Sequence, residues 1–170
     1  MIEALRRLPL SRLEDERGWF SELARADGLS KPIRQVNLSS SRRGTIRGLH
    51  YHERGQDDLF VCLAGTARVV VLDRETGEVF TEDIGEENPV AIYVPGVCAH
   101  GFEALSDCLF AYLVTEEYDA ADPDEHGVCW ADPRVKHLWS TDSPILSERW
   151  WSGTRLGSRL AVWRRSRPPV

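Results

Sequence analysis

The feature that most limits what this chain can fold into is the shortness of its apolar runs. VNLSSS (Val36–Ser41), TIRGLHYH (Thr45–His52), LFVCLAGTARVVVLD (Leu59–Asp73), EVFTEDI (Glu78–Ile84), VAIYVP (Val90–Pro95) and CLFAYLVTEEY (Cys108–Tyr118) follow one another closely. Between them stand turn-forming stretches: Arg42-Arg43-Gly44, DRETG (Asp73–Gly77), EEN (Glu86–Asn88) and Pro95-Gly96. Gly65 interrupts the longest run, which predicts either two strands or one strand with a bulge. No long amphipathic helix is legible. Short strands at this spacing predict an all-β sandwich or barrel. Helix-like patches occur near Ile145–Trp151, in a segment kept short by Trp139, Pro144 and Gly153.

Strand periodicity then groups the chemistry. Side chains two apart share a face of a strand. His50 and His52 therefore look the same way, with Gly48, while Leu49 and Tyr51 look the other way. YVPGVCAHGF (Tyr93–Phe102) delivers His100 just after a strand ending at Pro95. The three histidines are expected to converge inside the barrel, and two adjacent acids, Asp57 and Asp58, lie just beyond His52 in the chain. Two chemistries suit such a group: imidazole and carboxylate ligation of a metal, or proton transfer by a histidine that titrates near neutral pH.

At 170 residues the chain is expected to form one domain, 1–170, with a basic tail at 151–170. The tail carries five arginines and no acid, so the net charge of −6 leaves −11 on residues 1–150. An acidic body argues against nucleic-acid binding, which needs a basic face. The N-terminus has no secretory pattern and no apolar run approaches a membrane span, so a cytoplasmic location is expected. Cys62, Cys98, Cys108 and Cys129 show no CxxC spacing, which fits reduced thiols rather than a zinc ribbon.

Several blocks resemble the dTDP-4-dehydrorhamnose 3,5-epimerase family of nucleotide-sugar enzymes. They are RGWFSE (Arg17–Glu22), QVNLSSSRRGTIRGLHY (Gln35–Tyr51), YVPGVCAHGFEALSD (Tyr93–Asp107), YLVTEEYDAADPDEHGVCWADP (Tyr112–Pro133) and ILSER (Ile145–Arg149). Their order and spacing agree over roughly residues 15–150. The resemblance implies a cupin-type jelly-roll barrel, usually dimeric, with the sugar ring inside. It implies a dTDP-linked keto-deoxysugar as partner and epimerase chemistry: a proton is removed beside a ketone and returned from the opposite face, at one carbon or two. It requires no cofactor and no metal.

Residue by residue, the resemblance makes His50 the base and Tyr112 the acid. Arg47 and His100 line the sugar and phosphate end. Gln35 and Asn37 contact the nucleotide or phosphate, and Tyr118 is an aromatic near the base. Arg17, Phe20 and Glu22 belong to a segment that reaches the nucleotide of a neighbouring subunit. His52 and Asp58 join the substrate-binding set as same-site neighbours. Taken alone, Arg17 and Glu22 also fit surface ion pairs, and Phe20 and Tyr118 fit packing positions.

The chain departs from the family pattern twice. Where the family has Q-x-K-L, with a lysine that helps to stabilise the enolate oxygen, this chain has Gln56-Asp57-Asp58-Leu59. A carboxylate beside a developing oxyanion is the reverse of electrostatic stabilisation. Where the family closes with L-S-x-K-D and pairs that aspartate with the base, this chain has Trp150; Asp132, Asp142 and Glu148 are the candidate replacements. The alternatives are a metal-dependent cupin using His50, His52 and His100, with Asp57 or Gln56 as a further ligand, and a non-catalytic sugar-nucleotide-binding homologue.

Overall fold

The structure, a computed structural model, describes residues 2–147. Trp150, Glu148 and the basic tail lie outside the described residues. In chain order the strands are β1 (Arg6–Pro9), β2 (Leu13–Asp15), β3 (Gly18–Phe20), β4 (Gln35–Ser41), β5 (Ile46–Tyr51) and β6 (Asp57–Ala64). They continue with β7 (Thr66–Leu72), β8 (Val79–Gly85), β9 (Val90–Pro95), β10 (Ala99–Ala104), β11 (Cys108–Val114) and β12 (His126–Gly127).

Two five-stranded sheets form, in the orders β1-β9-β6-β11-β4 and β12-β5-β10-β7-β8. All of their strand pairs are antiparallel. The sheets pack face to face as a jelly-roll barrel. The inner core draws Phe60, Ile92, Val94 and Phe110 from the first sheet and Val69, Val71 and Phe102 from the second. Phe102 and Phe110 stack across the gap, with ring centroids 3.8 Å apart.

Both sheets are also covered on the outside. Leu8, Leu10, Leu23 and Leu29 from the N-terminal segment cover Leu59, Val61 and Tyr93. Val135, Leu138 and Trp139 cover Leu49, Val70 and Leu72. Burial on two faces explains why β6 and β7 read as continuous apolar runs instead of alternating ones.

Gly65 joins two strands that belong to different sheets, so it marks a corner and not a bulge. Its φ of +75° and a Cβ position 2.3 Å from the Asp107 carbonyl oxygen leave room only for glycine. β9 ends at Pro95 as expected, and His100 follows it on a further strand, β10. One expectation is corrected. The segment entering Ile145–Trp151 is not helical where described: Ile145 bridges Thr45 as extended backbone, and the helical turn falls earlier, at Lys136–Leu138.

Candidate active site

β5 and β10 pair so that His50 stands directly opposite His100. Their rings meet edge to face with centroids 4.4 Å apart. Two glycines beside them permit this approach. A Cβ on Gly48 (φ +120°) would lie 2.7 Å from both Gly101 Cα and the His100 carbonyl oxygen; one on Gly101 would lie 2.3 Å from the Arg47 carbonyl oxygen. His52 follows directly after β5 and donates its backbone N–H to Gly96 at 2.7 Å. The expected face-sharing of His50 and His52 is present, and Leu49 and Tyr51 turn to the outer cluster.

Asp58 reaches these histidines from the other sheet. Its carboxylate oxygens lie 3.3 Å from His100 Nε2, 4.0 Å from His50 Nε2 and 4.0 Å from His52 Nε2. Asp58, His52 and His100 are buried, whereas the His50 side chain keeps 21% exposure. Asp57 points the other way, as strand alternation requires. It accepts hydrogen bonds from Tyr93 Oη at 2.8 Å and Gly96 N at 3.1 Å, and pairs with Lys31 Nζ at 2.9 Å. Asp57 is therefore excluded from the histidine group, which corrects its candidacy as a metal ligand.

Backbone carbonyls fix two of the rings. His100 Nδ1 donates to the Cys98 carbonyl at 2.8 Å and His52 Nδ1 to that of Asp124 at 2.5 Å. A carbonyl only accepts, so both protons sit on Nδ1 and each Nε2 offers its lone pair to the site in the neutral ring. The Gln56 amide nitrogen lies 3.0 Å from His52 Nε2 and donates to Asp58 Oδ1 at 2.8 Å. Burial, then the neighbouring His100, hold the His50 imidazole below its ordinary pKa, so it is neutral at pH 7. Burial pushes Asp58 up, but attraction to His100 and then His50, exerted when a ring is protonated, outweighs it and holds the carboxyl well below the usual carboxylate range.

The other expected site residues fall into three places. Tyr112, on β11, stands opposite Asn37 on β4 and Phe60 on β6, and packs against the inner core. Phe60 in turn meets the His100 ring at 5.4 Å, which links Tyr112 to the histidines through one side chain. Asn37 and Gln35 share that inward face, joined by a 2.7 Å hydrogen bond. Gln35 also accepts the Tyr118 N–H at 2.9 Å, with the Tyr118 ring exposed. Arg47 donates to Ser41 Oγ at 2.9 Å and to the Ser40 carbonyl at 3.2 Å. Arg17, Phe20 and Glu22 lie apart, on and just after the β2–β3 hairpin. Arg17 pairs with Asp15, Glu22 with Arg25, and Phe20 is exposed.

Of the candidate replacements for the missing aspartate, Asp132 pairs with Arg134 at 2.8 Å and Asp142 is exposed. The carboxylate beside His50 is Asp58. Sequence reasoning missed the Asp124 and Cys98 carbonyls, which leave no signal in residue type. It also missed the Asp124 side chain, which fixes its loop by accepting the Arg54 N–H at 2.7 Å.

A family profile described as dTDP-4-dehydrorhamnose 3,5-epimerase matches residues 2–156. The spore coat polysaccharide biosynthesis protein SpsL of Bacillus subtilis is 34% identical over 150 residues, covering 84% of this chain and 99% of that one. The dTDP-4-dehydrorhamnose 3,5-epimerase of Pseudomonas aeruginosa is 35% identical over 149 residues, covering 79% and 81%. Among solved structures, ChmJ, a 3'-monoepimerase from Streptomyces bikiniensis in complex with dTDP-quinovose, superposes with a TM-score of 0.80 at 30% identity, covering 89% of this chain and 83% of that one. By the profile match across most of its length and the identity to a relative covered almost end to end, this chain belongs to the dTDP-4-dehydrorhamnose 3,5-epimerase family.

Proposed function

We propose that the protein epimerises a dTDP-4-keto-6-deoxyhexose, with His50 as base and Tyr112 as acid. The observation that carries this reading is the placement of the two groups. His50 projects inward from β5 and Tyr112 from β11, in the two opposing sheets. A sugar ring between the sheets presents one face to each, so a proton taken on one side is returned on the other.

A ketone acidifies the C–H bonds on either side of it. The neutral, partly exposed His50 accepts the proton, and the C–H electron pair moves onto the ketone oxygen as an enolate. Tyr112 gives a proton to the opposite face of the same carbon, and the configuration inverts. Gln35, Asn37, Arg47, His100 and Tyr118 are assigned to the sugar, phosphate and nucleotide. Arginine–phosphate pairing and aromatic stacking are the expected contacts.

The same reading makes the protein a homodimer in which Arg17, Phe20 and Glu22 serve the neighbouring chain's nucleotide. Val36 and Leu38 on the outer face of β4 and Trp19 and Phe20 on the hairpin are all more than half exposed, an apolar surface that a second copy covers. Light scattering should give twice the chain mass, and Leu38→Glu should give one chain. The acidic body leaves no role for nucleic acid. The free cysteines suit the cytoplasm, where the tagged full chain should fractionate.

The test is solvent-proton exchange. His50→Ala and Tyr112→Phe should each abolish deuterium incorporation into dTDP-4-keto-6-deoxyglucose or its epimers in D2O. Full exchange in either variant removes that residue from the mechanism.

A further inference from the structure

Asp58 stands where the family resemblance places a lysine, and a carboxylate there repels an enolate. What surrounds it turns this apparent defect into a site. Asp58, His52 and His100 bring acceptors together. The two histidines donate their Nδ1–H groups to the Cys98 and Asp124 carbonyls, which leaves each Nε2 as an acceptor. His100 Nε2 is buried and makes no hydrogen bond, although Asp58 Oδ2 lies 3.3 Å away. One donor, the Gln56 amide nitrogen, serves both His52 Nε2 and Asp58 Oδ1. A group of buried lone pairs with one shared donor lacks positive charge.

We propose that His52, Asp58 and His100 bind a divalent first-row transition-metal ion, which supplies beside the substrate ketone the positive charge that a lysine would supply. The inference rests on the epimerase reading for its catalytic role but not for the site itself. The ligand atoms of His50, His52, Asp58 and His100 all lie within 4.8 Å of one another. Tetrahedral ligands bonded at about 2.0–2.1 Å sit about 3.4 Å apart, so small side-chain shifts close the set. Nδ1–H to carbonyl bonds are the usual supports of metal-bound histidine, and both rings have one. Two imidazoles and a carboxylate suit zinc, iron, manganese or nickel.

His50 is left out of the ligand set because it remains partly exposed to the barrel interior, where the substrate enters. Three protein ligands leave a coordination position for the ketone oxygen. Gln56, itself only half-buried, turns aside when the ion binds. The electron balance is that of the metal-free reaction: His50 gains the proton, and the enolate oxygen carries the charge.

The test uses the full chain, stripped with a chelator and titrated with zinc by calorimetry. Wild type should bind one ion per chain. Asp58→Asn and His100→Gln should each weaken binding by at least about 100-fold, more than loss of a supporting contact costs. His50→Ala should bind zinc within a few-fold of wild type while losing exchange. Asp58→Lys should bind no ion, yet recover exchange relative to Asp58→Asn, now insensitive to chelator. Circular dichroism of each stripped variant separates lost ligation from lost folding, and the stripped wild type decides the matter without any variant. No stoichiometric binding by wild type would overturn the site, with Asp58 and His100 then forming only an ion pair. Loss of binding in His50→Ala would overturn the three-ligand assignment. A bound ion without exchange would sink the epimerase reading and leave the site standing. Undiminished exchange in metal-free protein would overturn the ion's catalytic role and leave the epimerase reading standing.

Discussion

Asp57 and Asp58 are neighbours with opposite assignments, and replacing Asp57 should separate stability from chemistry. The Asp57 carboxylate accepts two buried hydrogen bonds, from Tyr93 Oη at 2.8 Å and Gly96 N at 3.1 Å. Hydrogen bonds to a charged group contribute about 1.5–3 kcal/mol each. The Lys31 pair adds about 0–1 kcal/mol, because the Lys31 side chain is 42% exposed. Asp57→Ala should therefore cost about 3–7 kcal/mol. At about 2–4 °C per kcal/mol for a domain of this size, the melting temperature should fall by roughly 6–28 °C. Asp57→Asn keeps an acceptor and should lose about half as much. Tyr93 remains the donor at every ordinary pH, since burial and then Asp57 push its phenol up to about 12. The assay pairs thermal melts with deuterium exchange at 15 °C, where the variant is still folded. A melting temperature within about 2 °C of wild type, or lost exchange at unchanged stability, would refute the placement of Asp57 on the outer face.

Gly101→Ala puts a methyl group 2.3 Å from the Arg47 carbonyl oxygen and 2.9 Å from Gly48 Cα. Forcing β5 and β10 apart should cost about 1–3 kcal/mol and slow exchange by separating His50 from His100; an unchanged melt and an unchanged rate would show that the strands do not approach so closely. Thiol titration at pH 8 should find one fast cysteine in the native protein, Cys129, which is exposed. Cys98 is pushed up to about 11 by burial, and Cys62 is raised by Cys108 and by burial. Two or more fast thiols before unfolding would contradict the packing of these side chains.

Much of the barrel was legible because β4 to β9 and β11 carry their own punctuation. Gly65, Asp73–Gly77 and Pro95-Gly96 fall at chain reversals. β10 escaped notice because AHGFEA holds a glycine and two polar residues that are buried only by tertiary packing. β1 is an edge strand reading RRLP, and β2 and β3 are exposed throughout, so neither region has a periodicity to read. The pairing of His50 with His52 followed from the period of two. The same rule applied to β6 separates Asp57 from Asp58, but only once the inward face is known. The convergence of Asp58 on three histidines brings two sheets together and was not available from local sequence. The same holds for the carbonyls that orient His52 and His100, because every residue type has one.

The most direct measurement is deuterium incorporation by the wild-type protein. Purified protein is incubated with dTDP-4-keto-6-deoxyglucose in D2O and followed by NMR. The account predicts deuterium at one or both carbons flanking the ketone, with an inverted centre wherever it enters. A substrate that stays fully protonated at both carbons, in the presence of folded protein replete with zinc or manganese, would contradict it.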